Sequence, residues 1–221
     1  MEEKVVLERL REEADPIWKK IFEHPFVVGL FQGTLPIWKF KFYALQDYWY
    51  LVAMIRNLGV LTSKAEDVGT MKEIAEVLYL EATSEFAGYE ALLKELHLEI
   101  EDAINLQPVP VSVAYTNFLL NTSLLKPLPE GVCAIVPCFL SYVEIANYHK
   151  ESLNDNKNKL YVKWASVYFS KSYLSLVDKI KKVLNALGHN YPYEKLERVF
   201  NIASEYEYLY WDAMYKEEER L

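Results

Sequence analysis

Proline and glycine are bunched in this chain, and the bunching limits what it can fold into. They collect in short words such as "GTLP" (Gly33 to Pro36), "QPVPV" (Gln107 to Val111), "KPLPEG" (Lys126 to Gly131) and "GHNYP" (Gly188 to Pro192). The stretches left between these words are too long for strands and carry apolar residues at helical spacing. A helix is predicted from Ile37 to about Leu61, and another from about Val68 through "MKEIAEVLYLEATSEFAGYEALLKEL" to Leu96. With only 7 glycines in 221 residues, the chain also lacks the turn-makers of an all-β sandwich or a set of phosphate loops.

The remaining breaks complete the pattern. Val5, Val6, Leu10 and Ile17 recur at helical spacing up to "HPF" (His24 to Phe26), where Pro25 closes one helix and opens the first turn of the next. Ser112 to Leu125 reads as a helix, Glu130 to about Leu153 as a core helix, and the polar "NDNKNK" (Asn154 to Lys159) as a loop. A helical run from Tyr161 to Leu187 and a last helix from Tyr193 to Glu219 finish the chain. The expected fold is all-α, one domain over 1–221, a bundle of about eight helices.

The net charge of −8 gives no electrostatic footprint for nucleic acid, because counterion release needs clustered Lys and Arg and "KIKK" (Lys179 to Lys182) is one helical turn. No run of about 18 uncharged apolar residues is present, and the N-terminal pattern is acidic and amphipathic, so the cytoplasm is the expected location. The five-residue offset of Cys133 and Cys138 points them to different helix faces, which argues against a disulfide in a reducing compartment. Four histidines, none at ligand spacing from a thiol, leave no metal site to expect.

Three polar positions stand out among aromatic rings. Tyr43, Asp47 and Tyr50 are spaced i, i+4, i+7 and share one helix face. That face is either a surface stripe at a helix seam or a carboxylate held for a purpose. Cys138 and Tyr142 are i, i+4 in an apolar segment, where a free Cys is often simply a small buried hydrophobe. Glu207 sits among Tyr206, Tyr208, Tyr210 and Trp211, with Ser204, Trp211 and Met214 continuing its face, while Glu205 is expected on the wet side. An Asp, a Cys and a Glu rimmed by rings suit a nucleophile with two polar helpers around a flat, nitrogen-rich substrate.

Taken in order, "HPFVVGLFQGTLPIWKFKFYALQDYWYL" (His24 to Leu51), "VPCFLSYVEI" (Val136 to Ile145) and "YEYLYWDAMY" (Tyr206 to Tyr215) resemble the TenA/thiaminase II family, in its Cys-bearing branch. The resemblance spans nearly the whole chain. It implies a heme-oxygenase-like bundle assembled as a homotetramer, without metal or haem. It also implies hydrolysis of the C–N bond at the methylene of an aminopyrimidine in thiamin salvage. The substrates would be 4-amino-5-aminomethyl-2-methylpyrimidine and thiamin, and the product 4-amino-5-hydroxymethyl-2-methylpyrimidine.

By the same resemblance Cys138 is the nucleophile, Glu207 the acid/base, and Asp47 the carboxylate that reads the ring's amidine edge. Tyr50, Tyr115, Tyr142 and Tyr168 match the phenols that orient the pyrimidine. The chain departs from many relatives in having no His around Glu81 to Glu90 and Phe139 where a Pro often stands. The alternatives are a pyrimidine-binding protein without turnover and a regulatory protein on the same fold. A haem-binding reading is weaker, since His24 precedes a proline at a helix break, a poor place for an axial ligand.

Overall fold

In a computed structural model of the chain, residues 5–216 are described; residues 1–4 and 217–221 lie outside them, and with them the end of the last expected helix up to Glu219. The described residues hold no strand. In chain order the helices are α1 (Val6–Glu13), α2 (Asp15–Phe22), α3 (Pro25–Gln32), α4 (Ile37–Lys64), α5 (Val68–Leu80), α6 (Phe86–Glu95) and α7 (Ile100–Asn105). Then come α8 (Pro110–Leu125), α9 (Leu128–Tyr148), α10 (Lys150–Asp155), α11 (Lys159–Ser166), α12 (Lys171–Gly188) and α13 (Tyr193–Lys216).

A π-helical turn, Glu81–Glu85, joins α5 to α6 without a break, and a 3-10 turn, Val167–Phe169, separates α11 from α12. Counting α5 to α6 as one, the described residues form twelve helices, against the eight expected. The surplus has local causes. Ala14 ends α1 just before Pro16, which sits in the first turn of α2. The short α7 arises between the expected helix end at Leu96 and the "QPVPV" break, because the Glu99 N–H donates to Asp102 in a capping box. Ser170 caps α12 by accepting from the Tyr173 N–H, so the expected run from Tyr161 to Leu187 is cut in two.

Helix α9 is the centre, packed by α13, α12 and α8, with α4 closing the bundle against α8 and α5. Val132, Ala134, Ile135, Val136, Phe139 and Ile145 are all buried, and each large apolar side chain of this kind contributes about 1.5–3 kcal/mol on burial. Among the described residues α9 alone is long and apolar enough to cross a membrane, and 83% of that window is buried inside the bundle.

Two polar anchors set the frame around α4. Gln46, wholly buried, donates to the Gln107 carbonyl and accepts from the Val109 N–H, pinning "QPVP" to α4. Trp49 Nε1 donates to the Leu106 carbonyl beside it. In the pair Gln46–Asp47, therefore, the amide holds a loop and the carboxyl is left for the interior.

Candidate functional site

The stripe on α4 turns inward. Tyr43 and Tyr50 are buried, and Asp47 between them opens onto a chamber bounded by α4, the π turn, α9 and the 3-10 turn. One end of the chamber is lined by Asp47, Tyr50, Tyr115, Cys138, Tyr142, Glu207 and Tyr210. The other end shares Asp47, Tyr50, Cys138 and Tyr142 and adds Glu81, Glu85, Phe139, Tyr168 and Tyr173. All seven residues singled out from the sequence thus border one cavity, although they come from five separate segments of the chain.

Each is delivered by a local feature. Cys138 follows Pro137, which lies inside α9 and has no N–H to offer the Cys133 carbonyl; an interior proline costs about 3 kcal/mol in an ordinary helix. Cys133, on another face of the same helix, directs its thiol to the Leu196 carbonyl at 3.4 Å, and both cysteines are free. Tyr168 is carried by the 3-10 turn, its ring 4.8 Å from that of Tyr142 and 5.0 Å from that of Tyr173. Glu207 faces inward from α13 while Glu205 is exposed.

Glu207 is held at both oxygens. The Tyr115 hydroxyl donates to Oε1 at 2.6 Å and the Ser141 hydroxyl to Oε2 at 3.3 Å. Burial pushes its pKa up to about 7, against the pull of those two donors. Asp47 has no such support, and burial, with Glu85 and Glu207 adding to it, raises its pKa to about 8. Burial next to Glu207 pushes the Cys138 thiol well above the usual range, although the adjacent Tyr50 hydroxyl pulls the other way. The empty chamber therefore holds a thiol rather than a thiolate, and carboxyls poised to exchange protons near neutrality.

The hydroxyls of Tyr50 and Tyr210 are buried with no oxygen or nitrogen partner among the described residues. Buried donors of this kind are costly unless a ligand or water meets them. Among the described residues no Lys, Arg or His lines the chamber. The surroundings suit a flat, positively charged or protonatable heterocycle that stacks on rings and donates to carboxylates.

Sequence reasoning missed Glu81, Glu85, Ser141, Tyr173 and Tyr210. Ser141 and Tyr210 had a visible signal, three residues from Cys138 and from Glu207 respectively. Glu81 and Glu85 had none, because acids in "EATSEF" look like a solvated helix face until the π turn is known. Phe139 is buried at the chamber wall, and its carbonyl accepts from the Tyr173 hydroxyl at 3.3 Å. His24 is engaged at both ring nitrogens, accepting from the Phe26 N–H at Nδ1 and lying 3.6 Å from Asp212 at Nε2. Among the described residues no three His, Cys, Asp or Glu gather as a metal-binding group.

A second cavity opens outward from the first and shares Asp47, Glu85 and Tyr168 with it. Its walls are largely apolar, with Leu92 on α6, Leu160 and Trp164 on α11, and Val167 on the 3-10 turn. Lys163 and Glu95, both at this opening, form an ion pair between α11 and α6.

Known proteins share this arrangement of chain. An aminopyrimidine aminohydrolase of Halalkalibacterium halodurans is 31% identical over 94% of this chain and 94% of its own. A solved structure described as a TenA homologue protein from P. horikoshii OT3 is 46% identical, with a TM-score of 0.92 over 96% of this chain and 99% of that one. A domain of unknown function with a heme oxygenase-like fold, from Shewanella denitrificans, superposes with a TM-score of 0.76 at 14% identity, which gives the fold alone. The model of the TENA/THI-4/PQQC family matches residues 11–217, and the chain belongs to that family.

Proposed function

We propose that this protein is an aminopyrimidine aminohydrolase of thiamin salvage. It would convert 4-amino-5-aminomethyl-2-methylpyrimidine, and more slowly thiamin, into 4-amino-5-hydroxymethyl-2-methylpyrimidine. The observation that carries the reading is the convergence of Cys138, Glu207 and Asp47 on one phenol-lined chamber without a basic side chain. The aminohydrolase from H. halodurans, related over nearly the full length, supports the same class of reaction.

In this reading Asp47 takes the amidine edge of the ring, and Tyr50, Tyr115, Tyr142 and Tyr168 hold its faces and rim. The thiol proton of Cys138 passes to the Glu207 carboxylate and from it to a ring nitrogen. The thiolate adds to the ring carbon beside the one bearing the methylene, forming a C–S bond whose displaced electron pair is taken up by the protonated ring. The C–N bond then breaks and its electrons leave with nitrogen, so that the protonated amine departs as ammonia and the thiazolium of thiamin as the neutral thiazole. Water adds at the freed methylene carbon and returns one proton, and loss of the thiolate restores the aromatic ring. The balance is one amine and one water in, one alcohol and one ammonia out. Covalent addition divides one hard displacement into easier steps, and a positioned carboxyl supplies about 10²- to 10⁴-fold.

The test is to incubate wild type and Cys138→Ser with the aminomethylpyrimidine and with thiamin, following hydroxymethylpyrimidine by chromatography. Wild-type turnover that falls by about 10²-fold or more in the variant is the expected result. Full turnover by the variant overturns the nucleophile. The raised Cys138 thiol motivates a second reading, a pyrimidine-binding protein without turnover. Tight binding with no product from wild type would establish it.

A further inference from the structure

The chamber has more acid than the reaction above uses. Glu81 is 4% exposed, makes no hydrogen bond among the described residues, and faces the cavity that Asp47 and Cys138 share. Glu85, one π turn later, borders both that chamber and the outer apolar cavity, so it stands at the neck between them. The intervening Ala82, Thr83 and Ser84 are exposed. The π turn thus buries Glu81 and half-buries Glu85 on a segment whose other residues are exposed.

Burying Glu81 and half-burying Glu85 is unfavourable unless a ligand supplies the charge, because no cation lines the chamber among the described residues and Lys163 of the outer cavity is paired with Glu95. Asp47 is between this pair and Glu207, feeling the charge of Glu85 on one side and of Glu207 on the other. An aminopyrimidine whose amidine edge meets Asp47 carries its methylene arm on the ring carbon next to that edge, within the chamber that Glu81 and Glu85 line. Building on the aminohydrolase reading, we propose that Glu81 and Glu85 form the subsite for the departing nitrogen and make the enzyme select a small protonated amine over a thiazolium. A primary ammonium offers N–H groups for charge-assisted hydrogen bonds to these carboxylates. A thiazolium ring offers charge but no N–H, and must extend past Glu85 toward Leu92, Leu160 and Trp164.

The proposal separates two quantities. In Glu85→Gln, kcat/KM for the aminomethylpyrimidine is expected to fall by between about 10- and 100-fold, the range for loss of one charged hydrogen bond, while thiamin changes by less than about 3-fold. Glu81→Gln moves the ratio in the same direction. Binding gives an independent readout by calorimetry in the Cys138→Ser background, comparing the aminomethylpyrimidine with the hydroxymethylpyrimidine, which differ only in the arm. The first is expected to bind more tightly and to release protons, and Glu85→Gln to erase both differences. Circular dichroism and a melting curve confirm that each variant is folded, and Glu85→Asp, expected to recover part of the amine preference, serves if Gln is not tolerated.

Equal losses for both substrates, or an unchanged preference for amine over alcohol in the variants, overturn the subsite while leaving the aminohydrolase intact. A wild-type protein that neither binds nor turns over any of these pyrimidines overturns both.

Discussion

Asp47 keeps its proton through neutrality because the chamber it faces is poorly solvated and its neighbours there are other acids. Its folded pKa of about 8, and that of about 7 for Glu207, lie above the ordinary carboxylate range. Between about pH 4 and those values the folded chain binds more protons than the unfolded one, so stability is highest at the acid end and falls as pH rises. Each group contributes up to about 1.4 kcal/mol per pH unit to that fall, which levels off above its folded pKa. The ligand-free protein is therefore expected to melt at a lower temperature at pH 8 than at pH 5. Asp47→Asn should reduce the difference while abolishing pyrimidine binding, and melting curves at the two pH values check both the slope and its cause. A drop of equal size in the variant would show that Asp47 is not the source. At this scale the sequence marked Asp47, Cys138 and Glu207 as polar groups in aromatic or apolar runs but left each open between a structural and a functional part, and only the family resemblance gave them roles. The sequence was silent about Glu81 and Glu85, whose neighbours are ordinary surface residues.

Among the elements, the crossing of α8 and α9 governs the chamber, since one carries Tyr115 and the other Cys138. The helices approach closely at Gly131, where an added methyl would lie 3.2 Å from the Ser123 Cα and 2.5 Å from the Leu61 side chain. Leu61 can rotate away, but the Ser123 backbone cannot move without α8. Gly131→Ala is expected to cost about 1–3 kcal/mol in urea denaturation. It should also lower turnover several-fold at temperatures where the variant is fully folded, and unchanged kinetics would show that the crossing has slack. Gly33 plays a different part. It ends α3 at φ 77°, and Asn156 Nδ2 donates to the Leu30 and Phe31 carbonyls beside it. The expected long helices were legible because their apolar period is unbroken. The π turn, the 3-10 turn and the capping box around Glu99 were not, because they depend on one or two hydrogen bonds that leave the period almost unchanged.

For the whole molecule, the homotetramer that the family resemblance implies is a proposal with a direct test. Leu124 and Leu125 at the end of α8 are 51% and 77% exposed, and contact between copies would cover apolar surface of this kind. Light scattering is expected to return about four times the 25.9 kDa chain mass. The mass of a single chain would remove the tetramer and leave the exposed leucines without a partner.

The sequence by itself determined that the chain is helical, where its long helices run, and which Asp, Cys and Glu stand among rings and apolar residues. Those are matters of period and of desolvation, and both are written locally. Only the tertiary structure decided that Asp47 on α4, Cys138 on α9 and Glu207 on α13 meet in one cavity, and that two further carboxyls, Glu81 and Glu85 of the π turn, line it as well. Convergence depends on how helices cross and on a single widened turn, and neither leaves a mark in the spacing of apolar residues.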